Sequence, residues 1–170
     1  VGMVKHSLRR KEKQMLKELI TSPKRISLLA IGGMGLFAVY FFQHYLDFYS
    51  LLQFKAPREV LYSSDYQEVE FWEFSINKVF RYLVNDLFAM AIIAALFPQK
   101  EYLRFAFFVL LFGLLVLSPT YIALYLWQPA GFSSAIGHLH RLVMNPVLMM
   151  LLIPAFFYQK RLLSEGHKHS

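Results

Sequence analysis

Between Ile26 and Tyr158 the chain contains four apolar runs, over residues 26–52, 76–97, 105–127 and 139–158. Each reaches the roughly 20 residues that an α-helix needs to cross a bilayer. Hydrocarbon offers no water to a backbone N–H or C=O, so a run of this kind must bond within itself, as a helix does. The sequence therefore predicts an all-α integral membrane protein built as a four-helix transmembrane bundle. Residues 26–158 form one membrane domain, preceded by a basic leader (1–25) and followed by a tail (159–170). Seventeen Phe and ten Tyr in 170 residues would overfill a soluble core of this size. A bilayer accepts them, because the outside of the bundle is apolar too.

The formal charge of +7 is placed like that of a membrane protein. Eight of the 18 Lys and Arg precede the first apolar run. Within that leader Met15, Leu16, Leu19 and Ile20 recur at helical spacing in "EKQMLKELI". The segment reads either as an amphipathic helix lying on the anionic inner surface or as a solvated tail. Residues 53–73 are richer in acids, with Glu59, Asp65, Glu68, Glu70 and Glu73 against Lys55 and Arg58. Lys100 and Arg104 mark the next turn, the loop after Trp127 has no Lys or Arg before Arg141, and the chain's end is basic again. By the positive-inside rule both termini are cytoplasmic. The expected partners are lipids and another membrane protein, with no nucleic acid. Cysteine is absent, which excludes disulfides, thiolate metal sites and a cysteine nucleophile.

The stretch "RYLVNDLFAMAIIAALF" places Arg81, Asn85 and Asp86 in an otherwise apolar helix. Asn77, Arg81 and Asn85 share a face at i, i+4, i+8. Thr120 on the third helix, and His140, Arg141 and Asn145 on the fourth, fall at a comparable level; Gln43, His44 and Asp47 close the first. The expectation is a polar layer in the outer third of the bundle. A charge facing lipid at depth costs about 2.5–3.5 kcal/mol, so Asp86 should point inward and meet Arg141 or Arg81 in a two-bonded pair. Pro146 should free a carbonyl near Leu142 for a neighbouring amide, and Pro119, between Ser118 and Thr120, offers the same on the third helix. Gly32, Gly33 and Gly35 leave a smooth patch for a second helix.

Such a cluster can glue the bundle, dock a partner membrane protein, or form a catalytic or transport site. Catalysis would use Asp86 and His140 as base with Arg81 or Arg141 holding an anion, but no nucleophile-plus-base spacing accompanies them. The inner halves of the helices lack polar relays for a proton path. His44 with His140 or His138 could clamp a haem, and "GHKHS" could take a metal. Interfacial imidazoles more often serve as hydrogen-bond partners, so no cofactor and no metal are expected.

At "RYLVNDL" (81–87), "HRLVMNP" (140–146) and "IPAFFYQ" (153–159) the chain resembles the exosortase F system-associated membrane proteins. The likeness covers about residues 79–159 and leaves the leader and first loop unmatched. It implies a multi-pass protein of a bacterial inner membrane, and a non-catalytic accessory role in protein sorting beside an exosortase. Exosortases act through Cys, Arg and His. This chain has Arg141 and His140 but no thiol to attack a carbonyl. The polar layer lies at the level where such a partner's site should sit, so the expectation is docking of an exosortase-like partner or its substrate helix through Arg81, Asn85, Asp86, Thr120, His140, Arg141, Asn145 and Pro146. The alternatives are a lipid- or peptide-modifying enzyme, or a small subunit of a larger secretion or energy-transducing complex.

Overall fold

The computed structural model describes residues 22–60 and 68–166. The amphipathic leader helix, Asp65 and the histidine-rich tail lie outside the described residues. Every regular element among the described residues is helical, as the apolar runs demand.

Helix α1 (Pro23–Phe41) begins on a proline, whose missing N–H would be unsatisfied at that position anyway. It ends well before the apolar run does. The chain turns at residues 42–45, and a short α2 (Phe48–Leu52) follows because Asp47 accepts the Ser50 N–H at 3.1 Å as its N-cap. Helix α3 (Phe71–Leu96) is unbroken and stops at Phe97, the residue that Pro98 forces out of helical geometry. Helix α4 (Lys100–Trp127) contains a π turn at Gly113–Leu117, immediately before Ser118 and Pro119. A proline inside a helix removes one ladder bond, and the wider turn accommodates the loss.

The fourth apolar run is not one straight helix. Asn145 precedes Pro146 and is held extended (φ −122°, ψ 146°), so α5 (Ser133–Met144) ends there. Helix α6 (Val147–Gly166) sets off at 68° to it. Helices α1, α3 and α4 are each long and apolar enough to cross a membrane, and the bent α5–α6 pair makes a fourth span if counted as one.

Helix α3 is the centre of the bundle and packs against all five other helices. Its contact with α1 is antiparallel: Gly32 lies on Ile92 and the Phe88 carbonyl, and Gly35 lies under the Phe88 ring. Two of the three glycines of the smooth patch are thus consumed inside the bundle, while Gly33 faces open space. One buried apolar cluster (Phe74, Tyr121, Tyr125, Ile136) fills the end carrying the loops. A second (Ile93, Phe97, Met149, Phe156) fills the end at Pro98. Outside, Phe37, Phe41, Phe108, Phe112, Leu115 and Leu151 are exposed on different helices. Apolar surface spread around the whole girth suits a hydrocarbon solvent.

A methyl group at Gly32 would sit 2.7 Å from the Phe88 carbonyl oxygen, which cannot swing away as a side chain could. Gly32→Ala should therefore lower the unfolding free energy in detergent by about 1–3 kcal/mol, the usual cost of overpacking. Gly33→Ala, beside it, should change nothing beyond about 0.5 kcal/mol.

Candidate functional site

Four polar side chains of α3, Asn77, Arg81, Tyr82 and Asn85, form a descending column, and each reaches a point where another helix begins, ends or is interrupted. At the top Asn77 divides its amide. Its oxygen accepts the Tyr49 N–H at 3.0 Å and its nitrogen donates to Asp47 Oδ1 at 3.1 Å. The first N–H groups of α2 would otherwise be orphans of a helix start, and Asn77 and Asp47 take two of them. One turn lower Arg81 donates to the Gln43 carbonyl at 2.8 Å and reaches the Gln43 side-chain oxygen at 3.4 Å. It thereby holds the chain just beyond the end of α1.

Tyr82, on the next face, donates its hydroxyl proton to the Leu110 carbonyl at 3.2 Å, at the edge of the π turn. Gly113 makes that approach feasible, because a Cβ there would overlap the Tyr82 hydroxyl. One further turn down, the Asn85 amide donates to the Met144 carbonyl at 2.8 Å. Met144 is the last residue of α5, so its carbonyl has no ladder partner along the chain. Asn85 closes the break that Asn145 and Pro146 open.

Asp86 is 1 % exposed and points into the bundle, as expected. Its neighbour is the Tyr82 hydroxyl rather than a guanidinium, and its Oδ2 has no hydrogen-bond partner among the described residues. The pairing with Arg141 is overturned by the face that α5 buries. Ile136, His140, Val143 and Met144 turn inward, which leaves Arg141 exposed on the far side. The pairing with Arg81 gives way to the Gln43 carbonyl.

The remaining members of the expected cluster separate similarly. His140 is buried, with its Nδ1 2.9 Å from the Tyr121 hydroxyl. Thr120 is exposed and donates to the Val116 carbonyl of its own helix at 2.6 Å, so its hydroxyl is spent within α4 and not on another helix. The Asn145 amide turns back to the Arg141 carbonyl at 3.3 Å. The carbonyl that a neighbouring amide satisfies is thus that of Met144, not one near Leu142, because the chain breaks fully at Asn145 instead of kinking. The expected layer is a column: Asn77 lies near the start of α3, and Asp86 lies past its middle.

Sequence reading passed over Tyr82 and Tyr121, whose hydroxyls carry two of the buried bonds. In a chain rich in Tyr they read as interfacial anchors. Lys78, too, was no part of the expected cluster. Lys78 is buried, with Nζ 5.0 Å from the centre of the Phe74 ring. With Asn77 and Phe74 it lines a cavity of about 180 Å³, shared with Glu68, Glu70 and Glu73 at the loop end of α3.

Asp47 is the hub outside the spans. It is fully buried, and burial alone would raise its pKa. Hydrogen bonds from Ser50, the Arg58 N–H and Asn77 outweigh that and hold the carboxyl down at about 2. A folded-state pKa below the unfolded value of 3.8 contributes stability that is present above that value and lost as pH falls toward 2. Asp47→Ala should be less stable than wild type at neutral pH. In a pH series of detergent unfolding the gap should close between pH 4 and pH 2. No family model, curated protein or solved structure matches the chain.

Proposed function

We propose that this chain is a non-catalytic accessory subunit of an exosortase-type protein-sorting system in a bacterial inner membrane. The observation that carries the non-catalytic half is where the buried donors go. Asn77, Arg81, Tyr82 and Asn85 reach groups of the bundle's own loops and helix breaks, four of them on the backbone. Donors spent in this way hold a shape and are not poised for a substrate. The sorting half rests on the resemblance at residues 81–87, 140–146 and 153–159 and on the missing thiol. A partner must supply the nucleophile.

The charge pattern favours the orientation this reading needs. Lys24, Arg25, Lys100, Arg104 and Lys160 fall at the Pro98 end of the antiparallel bundle, and Glu68, Glu70 and Glu73 at the other. Both described ends of the chain are then cytoplasmic by the positive-inside rule. In this account the polar column positions the docking surface instead of touching the partner. Helix α1 is joined to α3 along its Gly32–Gly35 seam, and its exposed flank carries Met34, Phe37 and Phe41. Arg81 anchors the segment just beyond that helix, so the flank is presented at a fixed angle.

Affinity capture of the full chain from native membranes in mild detergent should recover an exosortase-like protein carrying Cys, Arg and His. The Met34→Ala/Phe37→Ala double variant should lower that recovery while leaving the unfolding transition where it was. Capture without any exosortase-like chain, in cells that contain one, contradicts the proposal.

A further inference from the structure

The break between α5 and α6 leaves a groove of about 340 Å³, open to the outside and lined by Asn145, Pro146, Val147, Met150 and Leu151. Apart from the Asn145 amide, already turned to the Arg141 carbonyl, its side chains are apolar. In hydrocarbon such a groove has to be filled, since its walls otherwise lose their dispersion contacts. Above it on α5, His138 and Arg141 stand at the i, i+3 spacing of one stripe, and the Arg141 carbonyl accepts from both the backbone N–H and the side-chain amide of Asn145 at the groove's edge. His138 donates its Nδ1 proton to the Ser134 carbonyl at 2.7 Å, and Arg141 carries the guanidinium of the stripe. The Arg141 side chain is exposed, and α5 has no Asp or Glu.

We infer that this groove and Arg141 together bind one anionic phospholipid, with an acyl chain lying along Pro146, Met150 and Leu151 and the phosphate held by the guanidinium. Charge complementarity selects the occupant, since an exposed guanidinium beside an apolar slot matches a phosphate joined to a hydrocarbon chain. The order along the bundle agrees. Helix α5 descends from the loop end to the level of Asn85, so Arg141 lies on the loop side of the slot. A lipid likewise carries its headgroup toward the membrane surface and its chains toward the centre. The long stem of Arg141 can lift its charge toward headgroup level while its methylenes stay in apolar surroundings. A guanidinium also meets phosphate oxygens with paired donors. The site lies on α5 and α6, apart from the α1 flank that carries the proposed docking surface.

Native mass spectrometry of the full chain tests this, with phosphatidylglycerol and phosphatidylcholine of identical acyl chains titrated separately. Wild type should bind phosphatidylglycerol about fivefold more tightly, the factor that one basic residue near an anionic headgroup contributes. Arg141→Ala and Arg141→Gln should abolish that preference with an unchanged thermal transition, since the residue is exposed. Leu151→Trp, which fills the slot, should weaken both lipids. Equal affinities in wild type, a preference that survives both Arg141 variants, or undiminished binding by Leu151→Trp overturns the inference. So does a photoreactive group at position 150 that crosslinks to a protein segment in native membranes instead of to lipid.

Discussion

A backbone carbonyl left unpaired where water cannot reach it is the constraint around which this bundle is organised. Three of the long apolar segments are interrupted: α1 ends at Phe41, α4 passes through a π turn before Pro119, and α5 stops at Asn145. The breaks after α1 and α5 expose carbonyls that a straight helix would have used, whereas the Leu110 carbonyl before the π turn accepts the Gly113 N–H as well as the Tyr82 hydroxyl. In lipid each such group costs about as much as a lost hydrogen bond with no solvent to replace it. The unbroken helix α3 answers each break from its own side chains, with Arg81 on Gln43, Tyr82 on Leu110 and Asn85 on Met144. The costly polar residues of "RYLVND" therefore belong to other helices' backbones as much as to their own.

This arrangement explains why the bundle tolerates so sharp a bend. A 68° turn between α5 and α6 would leave the last turn of α5 without partners on its inner side. The Asn85 amide supplies one, and α6 is then free to pack its Met149 and Phe156 into the apolar cluster near Phe97. The same bend opens the outer groove beside Pro146. An internal capping bond and an external binding surface thus follow from one proline and the residue before it.

Much of the architecture could be read from the chain before any coordinates. Run length gave the helices and the all-α membrane class, because crossing hydrocarbon leaves few alternatives. The inward direction of Asp86 was legible for the same reason. Its partner was not. Whether Arg141 meets Asp86 depends on which face α5 buries, and that is decided by Ile136, His140 and Val143 fitting around Tyr121. Such packing is a property of three helices together and is written in no single stretch. Pro146 announced a freed carbonyl, but the acceptor moved to Met144 because Asn145 became fully extended. The first run looked like one span because Gln43, His44 and Asp47 are spaced thinly among aromatics. Asp47 nevertheless ends it by gathering three separate segments around one carboxylate.

The central claim is that α3 side chains cap the interruptions of their neighbours, and the unfolding free energy of Asn85→Leu in reversible detergent unfolding tests it most directly. Leucine keeps the size of the side chain and removes its donor. The account predicts a loss of about 1–3 kcal/mol, because the Met144 carbonyl stays buried with nothing to accept from. An Asn85→Leu protein as stable as wild type, or more stable, would contradict it.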